Sequence, residues 1–192
     1  MKKKVKSALR AAGPTYANVK YGSHEHERNS MNVWLAESDE PTPVLFMFHP
    51  GGFRSRPISK IAPIGAQVHR SALAAGISVV APTYRHTAPA PFHDAARALQ
   101  FVRNKASEWN LDKQRIASTG SSSGGCLSLW LAFHDDMAKP RSKDPIARES
   151  TRLTCVAVTQ AVTSVDPRFI RDLMPGSNTH RNFDQLFGID IA

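Results

Sequence analysis

A serine between closely spaced glycines, Gly120-Ser121-Ser122-Ser123-Gly124, becomes a nucleophile when the chain turns sharply through it. Arg115-Ile116-Ala117-Ser118-Thr119 before it reads as a buried strand, and Gly125-Cys126-Leu127-Ser128-Leu129-Trp130-Leu131-Ala132-Phe133 after it as an apolar helix. Gly-x-Ser-x-Gly between a strand and a helix is the nucleophile elbow, a turn so tight that the flanking residues have almost no side chain. The helix N-terminus behind it favours a developing negative charge. Ser122 is therefore the predicted nucleophile. The pentapeptide alone also reads as a plain Gly/Ser turn; the strand before it and the helix after it favour the elbow.

Acyl transfer passes through a tetrahedral oxyanion, which needs backbone N–H donors fixed beforehand. A second motif fits that need. The apolar strand Pro43-Val44-Leu45-Phe46-Met47-Phe48 ends in His49-Pro50-Gly51-Gly52-Phe53, and consecutive glycines let backbone approach a reacting oxygen closely. Gly51 and Gly52 are two candidate donors, and the N–H of Ser123 a third. Alone this reads as a glycine turn after a strand; paired with the elbow it reads as an oxyanion hole.

These residues resemble the α/β-hydrolase fold, and within it the esterase/lipase group related to hormone-sensitive lipase. That group carries His-Gly-Gly-Gly and Gly-x-Ser-x-Gly-Gly. Here His49-Pro50-Gly51-Gly52 puts proline at the first glycine, and Gly120-Ser121-Ser122-Ser123-Gly124-Gly125 has Ser123 where alanine is more usual. The resemblance implies donors at the second and third glycines, so the missing N–H of Pro50 should be tolerated. Tyr84-Arg85 after a strand, Asp94 opening a helix, and Leu111-Asp112-Lys113-Gln114-Arg115-Ile116-Ala117 add matches in the family's order, over roughly residues 21–165. It implies a carboxylic ester hydrolase with a small-molecule ester substrate, no cofactor and no metal.

In that fold the triad continues with Asp or Glu and then His, on loops after the last strands. Only 70 residues follow Ser122, with one recognisable strand, Leu153–Thr159. No family residue transfers to either role. Among the histidines, His134 lies 12 residues beyond Ser122 on the same expected helix, about 18 Å along its axis. His86 and His93 follow the strand Ile77–Ala81, which the family's strand order would put two places from the elbow strand, roughly 10 Å aside. His180 sits in the tail, where the family often has a cap segment. His86, His93 and His180 remain candidates for a rewired base. His49 is expected to order its own loop, and His24-Glu25-His26 reads as a surface loop.

With 192 residues and 41% apolar content the chain can bury one sizeable core, and no run approaches the roughly 20 apolar residues of a membrane span. The start, Met1-Lys2-Lys3-Lys4-Val5-Lys6, is basic but no apolar stretch follows it, so a cytoplasmic location is the default. Lys2, Lys3, Lys4, Lys6 and Arg10 account for five of the nine net positive charges. Without them the charge is unremarkable, and no nucleic-acid partner is expected. Cys126 and Cys155 lie in apolar runs and read as buried, reduced thiols.

Strands alternate with helices, which predicts a three-layer α/β/α sandwich on a mostly parallel sheet, C-terminally incomplete. Asn18–Tyr21 and Met31–Ala36 open it as antiparallel strands. Helices are expected over 63–75 and 92–109, the second with Asp94 in its first turn, favoured by the helix dipole and able to pair with Arg85. The organisation reads as a basic disordered tail (1–15), a partial hydrolase core (16–165), and an irregular tail or the start of a cap (166–192). The strand near 153–162 would be an unprotected edge and invite self-association. Three readings follow: an N-terminal part of a longer serine esterase, with little turnover by this chain; a catalytically inactive relative that binds a ligand or partner; or an enzyme with a rewired base.

Overall fold

Alternation along the strands decides which side chains meet which layer. In a computed structural model of the chain, residues 13–22, 26–53, 65–176 and Leu186 are described. Along β3 (Thr42–Phe48), Val44, Phe46 and Phe48 face one core, while Leu45 and Met47 face a second. β4 (Ser78–Pro82) is buried throughout, as a central strand covered on both faces must be. The larger core packs β-sheet residues against α2 (Ala90–Asn104) and α3 (Ser123–Phe133), through Leu99, Val102, Leu127 and Leu131. The smaller packs Trp34, Val79 and Ala81 against Ala72 and Leu73 of α1 (Ala66–Ala74). That is the expected three-layer α/β/α arrangement.

The sheet has six strands in the order β1-β2-β4-β3-β5-β6. β1 (Tyr16–Lys20) and β2 (Ser30–Trp34) pair antiparallel, as do β2 and β4; β3–β4, β3–β5 and β5–β6 are parallel. β5 (Leu111–Ser121) is longer than the expected strand at both ends. From β3 the chain crosses by α1 to β4 on one side, then by α2 to β5 on the other. The order therefore reverses between β3 and β5, and ligands of open α/β sheets sit at the carboxyl ends of strands flanking such a reversal.

Several expectations need correction. α2 begins at Ala90, with Pro91 in its opening turn, which places Asp94 beyond the first turn; its partner is Arg85, not the helix dipole. It ends at Asn104, before Trp109. His134 is the C-cap of α3, already extended in backbone, rather than a helical residue. Cys155 is exposed because β6 (Cys155–Thr159) is the edge strand; Cys126 is buried. The described start of the tail is helical rather than irregular: α4 (Pro167–Leu173) forms, with the Asp166 side chain accepting from Arg168 N–H and Pro167 in the first turn. Leu186 is buried, and its carbonyl accepts from Ala88 N–H at 2.7 Å. The basic tail to residue 12, His24-Glu25, residues 63–64 of the first expected helix, and His180 lie outside the described residues. No helix among the described residues is long and apolar enough to cross a membrane.

Candidate active site

The register of β3 against β5 aligns Phe48 with Gly120, so the His49–Gly52 turn and Ser122 leave the same sheet edge side by side. Ser122 stands between β5 and α3 with φ 52° and ψ −124°, a conformation that costs a non-glycine residue on the order of 1–3 kcal/mol. Its surroundings hold it there. Ser122 N–H donates to the Thr159 carbonyl at 3.4 Å, and the Ser122 carbonyl accepts from Cys126 N–H at 3.0 Å and Val162 N–H at 3.4 Å.

The glycines around it are set by contact distances. A Cβ on Gly124 would lie 2.1 Å from the Phe48 carbonyl oxygen and 2.8 Å from that of His49. On Gly120 it would lie 2.5 Å from the Gly124 backbone, and on Gly125 2.8 Å from the Ala161 Cβ. The start of α3 thus rests directly on the end of β3. This brings the first N–H groups of α3, which have no intrahelical acceptor, to the turn that follows β3.

In that turn Gly51 has φ 151° and Gly52 φ 63°, values that only glycine adopts freely. Gly52 N–H donates to Ser123 Oγ at 3.0 Å. The Tyr84 hydroxyl donates to the His49 carbonyl at 2.7 Å and lies 3.3 Å from Ser123 Oγ. His49 stacks on Tyr84, with ring centroids 4.4 Å apart and planes 7° apart, and its Nδ1 lies 2.8 Å from the Pro50 carbonyl. Burial holds the His49 imidazole below its ordinary pKa and raises the Tyr84 phenol well above its own. His49 thus orders its own turn. The Arg85 guanidinium clasps both oxygens of buried Asp94, the closest contact being 2.7 Å, and Arg85 N–H adds a bond of 2.9 Å.

Ser122, Gly51, Gly52 and Ser123 are thus brought together, with Ser122 partly exposed. The other candidates are not joined to them. His86 lies in the loop after β4 with its ring edge toward Tyr84, 6.4 Å between centroids, and burial with nearby Arg28, His49 and His26 lowers its pKa to about 4. His93 is exposed on α2. Among the described residues no histidine hydrogen-bonds to Ser122, and no cluster of His, Cys, Asp and Glu has the makings of a metal site. The side chains of Tyr84 and Ser123 escaped the sequence reading. Their signals were a tyrosine two residues after a fully buried strand and a hydroxyl where the elbow usually has alanine.

A family model, BD-FAE, matches residues 31–187, most of the chain. The chain belongs to the BD-FAE family. This is an α/β-hydrolase-like esterase family, and the six-stranded sheet described above is its fold. Among curated proteins, none matches the chain. Several solved structures share the fold of this BD-FAE chain. An acetyl ester-xyloside bifunctional hydrolase from Caldicellulosiruptor lactoaceticus superposes with a TM-score of 0.74 at 22% identity, over 95% of this chain and 67% of that one. A bifunctional GH43-CE protein of Bacteroides eggerthii gives 0.74 at 20% identity, over 91% of this chain and 26% of that one. Esterase 2 of Thermogutta terrifontis, phosphonylated by sarin, gives 0.70 at 18% identity, over 93% of this chain and 66% of that one.

Proposed function

We propose that this BD-FAE chain carries the acylation half of a serine carboxylic ester hydrolase, with Ser122 as nucleophile. Ser122 Oγ attacks the ester carbonyl carbon, and negative charge develops on the carbonyl oxygen. Candidate donors to that oxygen are the N–H groups of Gly51, Gly52 and Ser123, that of Gly52 being engaged by Ser123 Oγ at 3.0 Å in this structure, and the N-terminus of α3 reinforces them. Collapse breaks the bond to the alcohol, which leaves with a proton, and water then releases the acid from the acyl-enzyme. The observation that carries this reading is the strained Ser122 backbone, held by glycine-only contacts at the sheet's reversal point beside the Gly51-Gly52 turn. The class of substrate proposed is a short-chain acyl ester. An acyl group on a carbohydrate is the narrower form, since structures of this fold include an acetyl ester-xyloside hydrolase and a carbohydrate esterase.

Attack requires a base for the Ser122 proton, and none of the described histidines hydrogen-bonds to that serine. The same observation favours a second reading, an inactive hydrolase-like protein that binds a ligand or partner. Hydrolysis of p-nitrophenyl acetate by the chain and by Ser122→Ala separates the two. Turnover that disappears in the variant supports the enzyme and directs attention to His86, His93 and His180. Identical rates in both proteins would refute turnover by this chain.

A further inference from the structure

Three hydrogen bonds around the turn have only one consistent direction. The His49 carbonyl can only accept, so Tyr84 donates to it. The Tyr84 oxygen must then accept from Ser123, across 3.3 Å, and Ser123 Oγ accepts the Gly52 N–H at 3.0 Å. The relay runs Gly52 N–H to Ser123 Oγ–H to Tyr84 Oη–H to His49 carbonyl. It starts and finishes within the same four-residue turn, passing through two side chains anchored on α3 and at the end of β4. Both are shut off from solvent, Ser123 at 0% and Tyr84 at 1% exposure. Buried hydroxyls so arranged fix geometry, because breaking one bond strands a polar group without water.

We propose that Ser123 and Tyr84 are positioning residues of the oxyanion hole. Their relay turns the Gly52 N–H inward as a structural bond and leaves the N–H groups of Gly51 and Ser123 as the two working donors. This rests on the Ser122 nucleophile reading for its catalytic part only. Among the described residues, neither of those two N–H groups meets an acceptor, whereas that of Gly52 does. The side-chain hydroxyl at 123 is thereby distinguished from the backbone N–H of the same residue, which Ser123→Ala leaves in place.

The test has two arms on the full chain. Amide exchange followed by NMR should show Gly52 slower than Gly51 by about tenfold or more, with that protection lost in both Ser123→Ala and Tyr84→Phe. Labelling of Ser122 by a fluorophosphonate should then lose about tenfold in maximal rate in each variant, at unchanged half-saturating concentration, with the double variant no worse than the worse single one. A purely structural role would lower melting temperature yet leave the labelling rate of folded protein alone. Gly52 protection that survives Ser123→Ala, or a slower Gly51, overturns the proposal. A wild-type chain with a protected Gly52 but no label on Ser122 overturns the nucleophile reading while the relay's hold on the turn stands.

Discussion

Gly124→Ala sets helix propensity and packing against each other at one atom. Gly124 lies in the first turn of α3, and alanine in place of glycine within a helix is worth about 1 kcal/mol in its favour. The added Cβ would lie 2.1 Å from the Phe48 carbonyl oxygen, 2.7 Å from its carbon and 2.8 Å from the His49 carbonyl oxygen. All three are backbone atoms of β3 and its turn, so no side chain can rotate away; the helix and strand must separate by about 1 Å. Overpacking of that kind costs about 3 kcal/mol at the upper end of its usual range, leaving a net loss of about 2 kcal/mol. With a urea dependence of about 2 kcal/mol per M, the midpoint of unfolding should fall by about 1 M. The same separation pulls the start of α3 from the Gly51-Gly52 turn, so any Ser122-dependent rate should fall as well. An unchanged or higher midpoint would refute the reasoning, because it would mean that α3 does not rest on the end of β3.

Asp94→Asn keeps the shape but removes the charge clasped by Arg85, and should destabilise the chain by about 2 kcal/mol in urea melts; no change would mean the pair contributes nothing. In the folded chain iodoacetamide should modify exposed Cys155 quickly and Cys126 only on unfolding, since Cys126 is buried with its thiol pushed up to about 11. Two equally fast thiols in mass spectra would contradict that packing. His86 is held at about 4 in the fold, mainly by burial, against about 6.5 unfolded. Between those values the unfolded chain binds more protons, so the stability contributed by neutral His86 is present above pH of about 6.5 and is lost as pH falls toward 4. Urea midpoints should therefore decline over that window less steeply in His86→Gln than in the wild type, and equal slopes would count against it.

Where a residue pattern answers to one local constraint, the sequence was sufficient. The Gly-x-Ser-x-Gly-Gly spacing located the strand-to-helix turn, because glycine is demanded there by short contacts, while the close approach of Gly124 to the end of β3 emerged only with the strands in place. Strand and helix order followed from apolar runs, and the Arg85–Asp94 pair from its charges. Boundaries drifted where capping competed with periodicity: Asp166-Pro167 is a helix start that its apolar-poor context concealed, and Pro91 moved the start of α2 ahead of Asp94. The exposure of Cys155 depends on strand order, which no local pattern encodes. The hydroxyl relay was hidden for the same reason. Tyr84, Ser123 and His49 come from three separate segments and meet only once β4, β3 and β5 are adjacent.

The central claim is that Ser122 is a nucleophile. Its most direct test is treatment of the folded chain with a fluorophosphonate, followed by digestion and mass spectrometry of the peptide spanning the elbow. A single phosphonyl adduct on Ser122, absent from Ser122→Ala, is the expected result. An unmodified Ser122 in the folded wild-type chain, or an adduct that persists in Ser122→Ala, would contradict it.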